Sequence, residues 1–401
     1  MTADWATKTI ADVCSVVNGG TPKTGVSEYW DGTHQWITPA EMGKRSSPYV
    51  ARTERTITDA GIQSSSARLL PPHSVILSSR APIGHLVINT EAMATNQGCK
   101  GLVPSDGLNH KYLYYYLSSI VQLLNDLGTG ATFKELSSGK LKEVPIPVPP
   151  LAEQQRIVAI LDEAFETIAA ARANAEQNRQ NARALFESYL QSVFSQRGDR
   201  WVETTIGNQV DFLAGFAFKS TQYTESKDGI RLIRGDNIVQ GQLRWDGVKY
   251  LPRASAENYS QFYFEENDIV LAMDRPWVAA GLKVAYITNN DLPALQVQRT
   301  ARLRVKPNIH WKYLFHMIRS SKFVTYLLDG QTGLGVPHIS GKQILSFEFA
   351  MPPLNQQQLI VQKLDALGDK TQRLESLYQR KIAALDELKQ SLLQQAFSGQ
   401  L

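Results

Sequence analysis

From Pro149 to Gly198 apolar positions recur at alternating intervals of four and three: Ile157, Leu161, Ala164, Ile168, Ala171, Ala175, Asn178, Ala182, Leu185 and Tyr189. The same series returns 203 residues later, counted from Pro149 to Pro352, as Ile360, Leu364, Leu367, Thr371, Leu374, Tyr378, Lys381, Leu385, Leu388 and Leu392. Alternating threes and fours are the period of a coiled-coil seam. Each series therefore predicts a helix of about 45 residues, roughly 65–70 Å at 1.5 Å per residue. Pro149-Pro150 and Pro352-Pro353 mark the starts. Gly198 and Gly399 mark the stops. Asn178 and Lys381 place a polar residue at the same point of both seams. The second helix follows the second globular stretch, so packing it on the first requires it to run back, which brings Phe397–Leu401 to the first globular stretch.

Elsewhere the period is two. Val13–Val17, Gln35–Thr38, Ser74–Ser78 and Leu86–Ile88 read as short strands, punctuated by Gly19-Gly20, Asp31-Gly32, Pro71-Pro72 and Asp106-Gly107. A helix is predicted at His110–Leu127, a loop at Gly128–Lys134 and a strand at Val144–Val148. Residues 199–351 repeat this plan more loosely. Trp5 and Ile10 return as Trp201 and Ile206, Trp36-Ile37-Thr38 as Leu232-Ile233-Arg234, and Ser74–Leu77 as Asp268–Leu271. Tyr112-Leu113-Tyr114 returns as Tyr313-Leu314-Phe315. The order is a globular unit (1–148), a long helix (149–198), a second globular unit (199–351) and a second long helix (352–401). The helices share their pattern closely and the globular units do not, so the helices do one common job and the units two different ones.

Composition narrows the classes. The apolar fraction is 43% with 9% aromatics, which supports packed cores and excludes global disorder. No apolar run approaches 18 residues and Met1-Thr2-Ala3-Asp4 opens no signal peptide, so a cytoplasmic protein without a membrane partner is expected. Cys14 and Cys99 read as buried thiols. A net charge of +4 is modest for a chain that would hold a long duplex alone, so partners are expected to supply part of any phosphate contact. The seven histidines show no metal-ligand spacing, and no phosphate loop, amino-methyltransferase motif or nucleophile elbow occurs. The expectation is a binding module with no catalytic or metal site.

The repeated Leu151-x-Glu153-Gln154-Gln155-x-Ile157-Val158 motif and its copy, Gly84 after a strand, Asn96-Gln97-Gly98, and Gly128-x-Gly130 before a strand into Pro149-Pro150 resemble the specificity subunit of a type I DNA restriction–modification system. The resemblance covers essentially the whole chain. The second unit departs from it, with Leu295-Gln296-Val297-Gln298 in place of Asn96-Gln97-Gly98 and a longer segment around Asp274-Arg275-Pro276-Trp277. It implies an α+β fold in which two mostly-β target-recognition domains are joined by two long antiparallel helices, a coiled coil with an internal pseudo-two-fold repeat. It implies a subunit that binds a bipartite, asymmetric site in double-stranded DNA. Its partners would be two methyltransferase subunits carrying S-adenosylmethionine and restriction subunits carrying ATP and Mg, with no cofactor in this chain. The alternative is a coiled-coil adaptor without sequence readout, which would have no need for two divergent loop sets.

Arg, Lys, Asn and Gln read base edges, chiefly in the major groove. Candidates in loops lacking apolar periodicity are Lys23, Thr38, Arg80, Thr132 and Lys134 in the first unit, and Lys219, Arg234, Asn237, Arg275, Gln331 and His338 in the second. Arg80 and Arg275 stand out because each follows a buried-looking strand at matching places in the repeat. Trp277 is expected in the core, and Tyr112, Tyr114, Tyr115 and Tyr116 in helix packing. Arg299, Arg302 and Arg304 are expected on one strand face, open to phosphate contact or plain solvation. The helix-pair seam is expected to rest on Ile157, Leu161, Ile168, Leu185, Tyr189, Ile360, Leu364, Leu367, Leu374, Leu385 and Leu388.

Overall fold

The computed structural model describes residues 5–130, 134–278, 281–329 and 338–401. It divides into two compact units, Met1–Glu176 with Gln379–Leu401, and Gln177–Tyr378. Each unit thus takes in a part of both long helices, which run Leu151–Ser195 and Leu354–Phe397.

In the first unit the principal sheet has the strand order Cys14–Asn18, Cys99–Pro104, Val75–Ser79, Ile83–Asn89, Tyr49–Val50, antiparallel except for the last pair. A three-stranded sheet places Trp30–Ile37 between antiparallel Arg55–Ile57 and parallel Met93–Thr95. A ribbon pairs Ala6–Thr9 with Pro145–Val148. The second unit repeats the arrangement. Its main sheet runs Val210–Ala214, Thr300–Val305, Ile269–Ala272, Val284–Tyr286. Ile230–Ile233 lies between Lys249–Leu251 and Ala294–Gln296, and Val202–Thr205 pairs with Glu348–Met351. The strands expected from the period of two are present within a residue or two, apart from Trp30–Ile37 and Ile83–Asn89, which extend further toward the N-terminus.

The predicted helix His110–Leu127 is two, His110–Ser119 and Val121–Leu127, because Ile120 leaves the helical region at φ −111°, ψ 19°. Its tyrosines pack as expected: Tyr112, Tyr115 and Tyr116 are buried in the core. Trp311–Arg319 is the matching helix of the second unit, with Tyr313 fully buried.

The repeated motif has a structural reason. Gln154 is fully buried; its carbonyl oxygen accepts from the Asn109 amide (2.8 Å), and its amide donates to the carbonyls of Gly107 (3.0 Å) and Pro149 (2.9 Å). Gln357 repeats this on His310 (2.7 Å), Asn308 (3.2 Å) and Pro352 (2.8 Å). About two turns further along, Asp162 takes Lys111 (2.5 Å) and Tyr115, and Asp365 takes Lys312 (2.6 Å) and His316 (3.0 Å). Each helix start is thereby clamped to the tyrosine-bearing helix of its own unit.

The helices run antiparallel. In the first unit Arg156 donates to the Leu401 carbonyl, Lys389 lies over the Phe165 ring and Arg172 pairs with Asp386 (3.1 Å). In the second, Arg183 pairs with Glu375 (2.7 Å) and Phe186 lies against Gly368. The chain end returns to the first core as expected: Leu393 and Ala396 are buried there, and the Phe397 ring meets Tyr112 and Tyr116. Leu190, Val193 and Phe194 do the same in the second core, where Phe194 meets Tyr313.

The seam differs from the expected one by one residue at every second position. Leu161, Ile168, Ala175 and Ala182, and Leu364 and Thr371, are buried as expected, and Tyr189, Leu367 and Leu385 are half-buried. Leu185, Leu374 and Leu388 face solvent at 54%, 39% and 47% exposure, and Asn178 and Lys381 are exposed too. Phe186 takes the place of Leu185 and the buried Ile382 that of Lys381, and Phe165 and Gly368, which follow Ala164 and Leu367, also meet the other helix. Ile157 and Ile360 face their own unit's core rather than the other helix. A step of one residue turns a side chain by about 100°, so leucines beside the seam can mimic it in sequence.

Candidate nucleic-acid interface

Loops of the first unit converge on the turn Asn96-Gln97-Gly98. The Asn96 side chain receives the Gly98 amide (2.7 Å) and donates to the Thr21 hydroxyl (3.0 Å). A Cβ on Gly19 would lie 1.9 Å from the Asn96 carbonyl, and one on Gly20 2.2 Å from the Ala67 amide. Only glycine allows this approach, which places exposed Lys23, two residues beyond Thr21, beside the turn. The Asn96 amide donates to Ile37, next to Thr38, whose hydroxyl caps Pro39–Met42. Arg80 closes the cluster, its Nε 3.1 Å from where a Gly98 Cβ would stand.

Arg80 also faces Glu135 across an antiparallel bridge, with Nη1 3.9 Å from Oε2. Glu135 exchanges both backbone hydrogen bonds with Thr129, and Lys134 next to it is exposed. Thr132 lies outside the described residues. The structure thus brings Thr38 and Arg80 to one turn, with Lys23 two residues from Thr21 and Lys134 next to Glu135. It adds Lys100, nearly buried on the neighbouring strand. Burial pulls its ammonium below the ordinary lysine pKa; the Glu135 carboxylate opposes this and the Arg80 cation reinforces it. The sequence signal was a single lysine inside the strand Cys99–Pro104.

The second unit builds the same scaffold with other side chains. Ser79 donates its amide to the Gly98 carbonyl and accepts from the Leu136 amide; Met273 likewise donates to the Arg299 carbonyl and accepts from the Ile339 amide. The bridge Arg80–Glu135 becomes Asp274–His338. Asp274 Oδ1 is 2.5 Å from His338 Nδ1, and Arg299 Nε approaches Oδ2 at 3.5 Å. A cation paired with an acid in one unit is an acid between two basic side chains in the other.

Known proteins give this arrangement its family. A family model described as the type I restriction modification DNA specificity domain matches residues 2–177 and again 200–383. The chain belongs to that family. It is 26% identical over 416 residues to the type I restriction enzyme MjaIX specificity subunit of Methanocaldococcus jannaschii, covering 99% of this chain and 94% of that one. In fold it is similar to a chain from a structure titled "Structural basis underlying complex assembly and conformational transition of the type I R-M system" (TM-score 0.82, 17% identity, all of both chains). It is also similar to the HsdS subunit from Thermoanaerobacter tengcongensis (TM-score 0.62, 18% identity, 99% and 97% covered). The chain is a DNA target-recognition subunit, the non-catalytic component of a type I system.

In this specificity subunit several expected readers have other duties. Asn237 is 1% exposed, and its amide holds Arg234 and Arg244 backbone groups at 3.1 Å each. It shapes the loop and cannot reach a base. Arg234 is half-buried and donates to the Gly247 carbonyl (3.1 Å). Arg302 is buried, donating to the Gln261 and Tyr263 carbonyls (3.0 and 2.8 Å), and Arg304 is held by both oxygens of Asp268 and by Glu265. Arg299 does not share their face; it sits in a left-handed turn at φ 68° before the strand. Lys219 and Arg275 are exposed, and Gln331 lies outside the described residues. Arg275 is not the counterpart of Arg80; Asp274 is. Trp277, expected in the core, is 44% exposed.

Proposed function

We propose that this chain recognises a bipartite, asymmetric site in double-stranded DNA and directs methyltransferase and restriction subunits to it. The first unit reads one half with Lys23, Thr38, Arg80, Thr132 and Lys134. The second reads the other with Lys219, Arg275, Gln331 and His338. The observation that carries this reading is the reuse of one loop scaffold with opposed charge, Arg80–Glu135 against Asp274–His338. A shared backbone frame with exchanged polar groups suits readout of two different base sequences; a scaffold protein has no use for the exchange.

S-adenosylmethionine would enter with two methyltransferase subunits and ATP with Mg in restriction subunits, all in the cytoplasm. The relative whose title names complex assembly supports such partners. Co-expression with the methyltransferase and mapping of methylated bases tests the reading. A single two-part site is expected, one half of which changes when residues 199–348 are exchanged for those of a relative. Absence of a preferred site, or change of both halves together, overturns it.

A further inference from the structure

The second unit carries a projection that the first lacks. Between the matching strand pairs Val75–Ile88 and Ile269–Tyr286 the second unit has four residues more. The extra length forms a hairpin in which Trp277 pairs with Leu282 and Val278 with Gly281. Leu282 is buried in the core beneath, whereas Trp277 and Val278 are 44% and 41% exposed.

The base of the hairpin is firmly held. Lys283 donates its amide to Pro276 (2.7 Å), Gln240 donates to Gly281 (3.2 Å), and Gly241 donates to Val284 (2.8 Å). Cations flank it: Arg275 and Arg244 are exposed, and both oppose the Lys283 ammonium, which burial disfavours most and the Asp236 carboxylate favours. An apolar tip on a cationic base suits a polyanion whose groove offers an apolar feature. In the DNA major groove that feature is the thymine 5-methyl group.

We propose that Trp277, with Val278 beside it, reads a thymine methyl in the half-site of the second unit, while Arg275, Arg244 and Lys283 hold the flanking phosphates. This rests on the reading of the chain as a two-part DNA reader and assigns one base of that site to one side chain.

The test uses the full chain with its methyltransferase partner and the site found by methylation mapping. Each thymine of the second half-site is replaced in turn by deoxyuridine, which removes the methyl group alone. At one position binding is expected to weaken about fourfold, the value of one buried methyl carbon. Trp277→Ala is expected to weaken binding to the thymine duplex and to abolish that discrimination; Trp277→Phe retains part of it. Both variants should unfold like the parent, since the side chain is exposed.

Equal affinity for thymine and uracil duplexes at every position overturns the inference. So does a second half-site without thymine on either strand. A Trp277→Ala variant that weakens both duplexes equally makes the indole a wedge between bases, which also overturns it. A complex with no preferred site refutes the broader reading instead.

Discussion

The Phe397 ring lies edge-on to Tyr112, with 5.2 Å between centroids, so the last turn of the chain completes the core of the first unit. Removing a fully buried Phe costs about 3–5 kcal/mol; Phe397 is half-buried, so Phe397→Ala should cost about 2–3 kcal/mol. Urea unfolding with fluorescence and hydrogen exchange should find the loss in residues 5–176. A loss of less than about 0.5 kcal/mol would show that the chain end packs only loosely.

Gln154 offers a second measurement. Its side chain makes three hydrogen bonds in a site closed to water. Gln154→Leu keeps the volume and strands one amide and two carbonyls, at about 1–3 kcal/mol for each buried group left unpaired. Loss of 3 kcal/mol or more is expected, with the Gln357→Leu variant matching it. An unchanged midpoint for either would refute the clamp.

Much of this fold was legible because backbone needs leave residue signatures. The two proline pairs and the buried glutamines recur at an offset of 203 residues, and Tyr112 recurs as Tyr313 at 201, because each performs the same contact twice. The seam was half legible: Leu161 and Leu364 stand where expected, but Leu185 and Leu388 lie one residue off, since exposed leucines fit an alternating period as well as buried ones. The reading site was harder. Arg80 and Arg275 look equivalent in sequence, and only the bridge Asp274–His338 shows that the hairpin has displaced the register. Asn237 looked like a reader because capping of its own loop and recognition of a base call for the same amide.

Acid should affect the second unit through His316. Burial holds its pKa below the ordinary histidine value, against the opposing hydrogen bond of Asp365. The unfolded chain therefore takes up a proton first, and stability present above about pH 6.5 is lost as pH falls below it. Asp365 itself is held below the ordinary carboxylate value by His316 and Lys312, although burial works the other way. Its contribution is present above about pH 3.9 and fades only as pH drops through its folded value. Unfolding measured at pH 7 and pH 5.5 should show the His316 loss, and His316→Tyr, the pairing Tyr115 makes with Asp162, should reduce it. His310, also depressed by burial, keeps a residual slope in the variant. An unaltered slope would sink the assignment.

Arg80→Ala should weaken binding to one half-site by about 1–3 kcal/mol, the range of a base-reading pair. Folding should be nearly unaffected, because the partner oxygen of Glu135 is 3.9 Å away and a half-exposed pair of this kind contributes about 0–1 kcal/mol. Asp274→Asn removes the acid between His338 and Arg299. It should raise affinity for random duplexes and steepen the salt dependence of binding. Equal losses for Arg80→Ala on specific and random DNA would make it a phosphate contact.

The repeat also predicts an assembly from half the chain. A fragment of residues 1–198 lacks Leu393, Ala396 and Phe397, which complete the first core, but carries Leu190, Val193 and Phe194 at the same offset of 203. Two copies can therefore exchange helix ends, each bringing Phe194 to the other's Tyr112. The fit is imperfect in two places. Val193 would replace Ala396, which is fully buried, and added methyl groups in a packed site cost about 1–3 kcal/mol. Arg179 would stand where buried Ile382 stands. The fragment should thus dimerise weakly, and Val193→Ala should strengthen the dimer by relieving the first misfit. A bound methyltransferase should stabilise it further by mass action. Such a dimer presents the first unit twice about a true two-fold axis, so it should direct methylation to an interrupted palindrome of the first half-site. Sedimentation of the fragment and of Val193→Ala, followed by methylation mapping with the partner present, decides the matter. A fragment that stays monomeric with its partner, or one that still modifies the asymmetric site, contradicts the exchange.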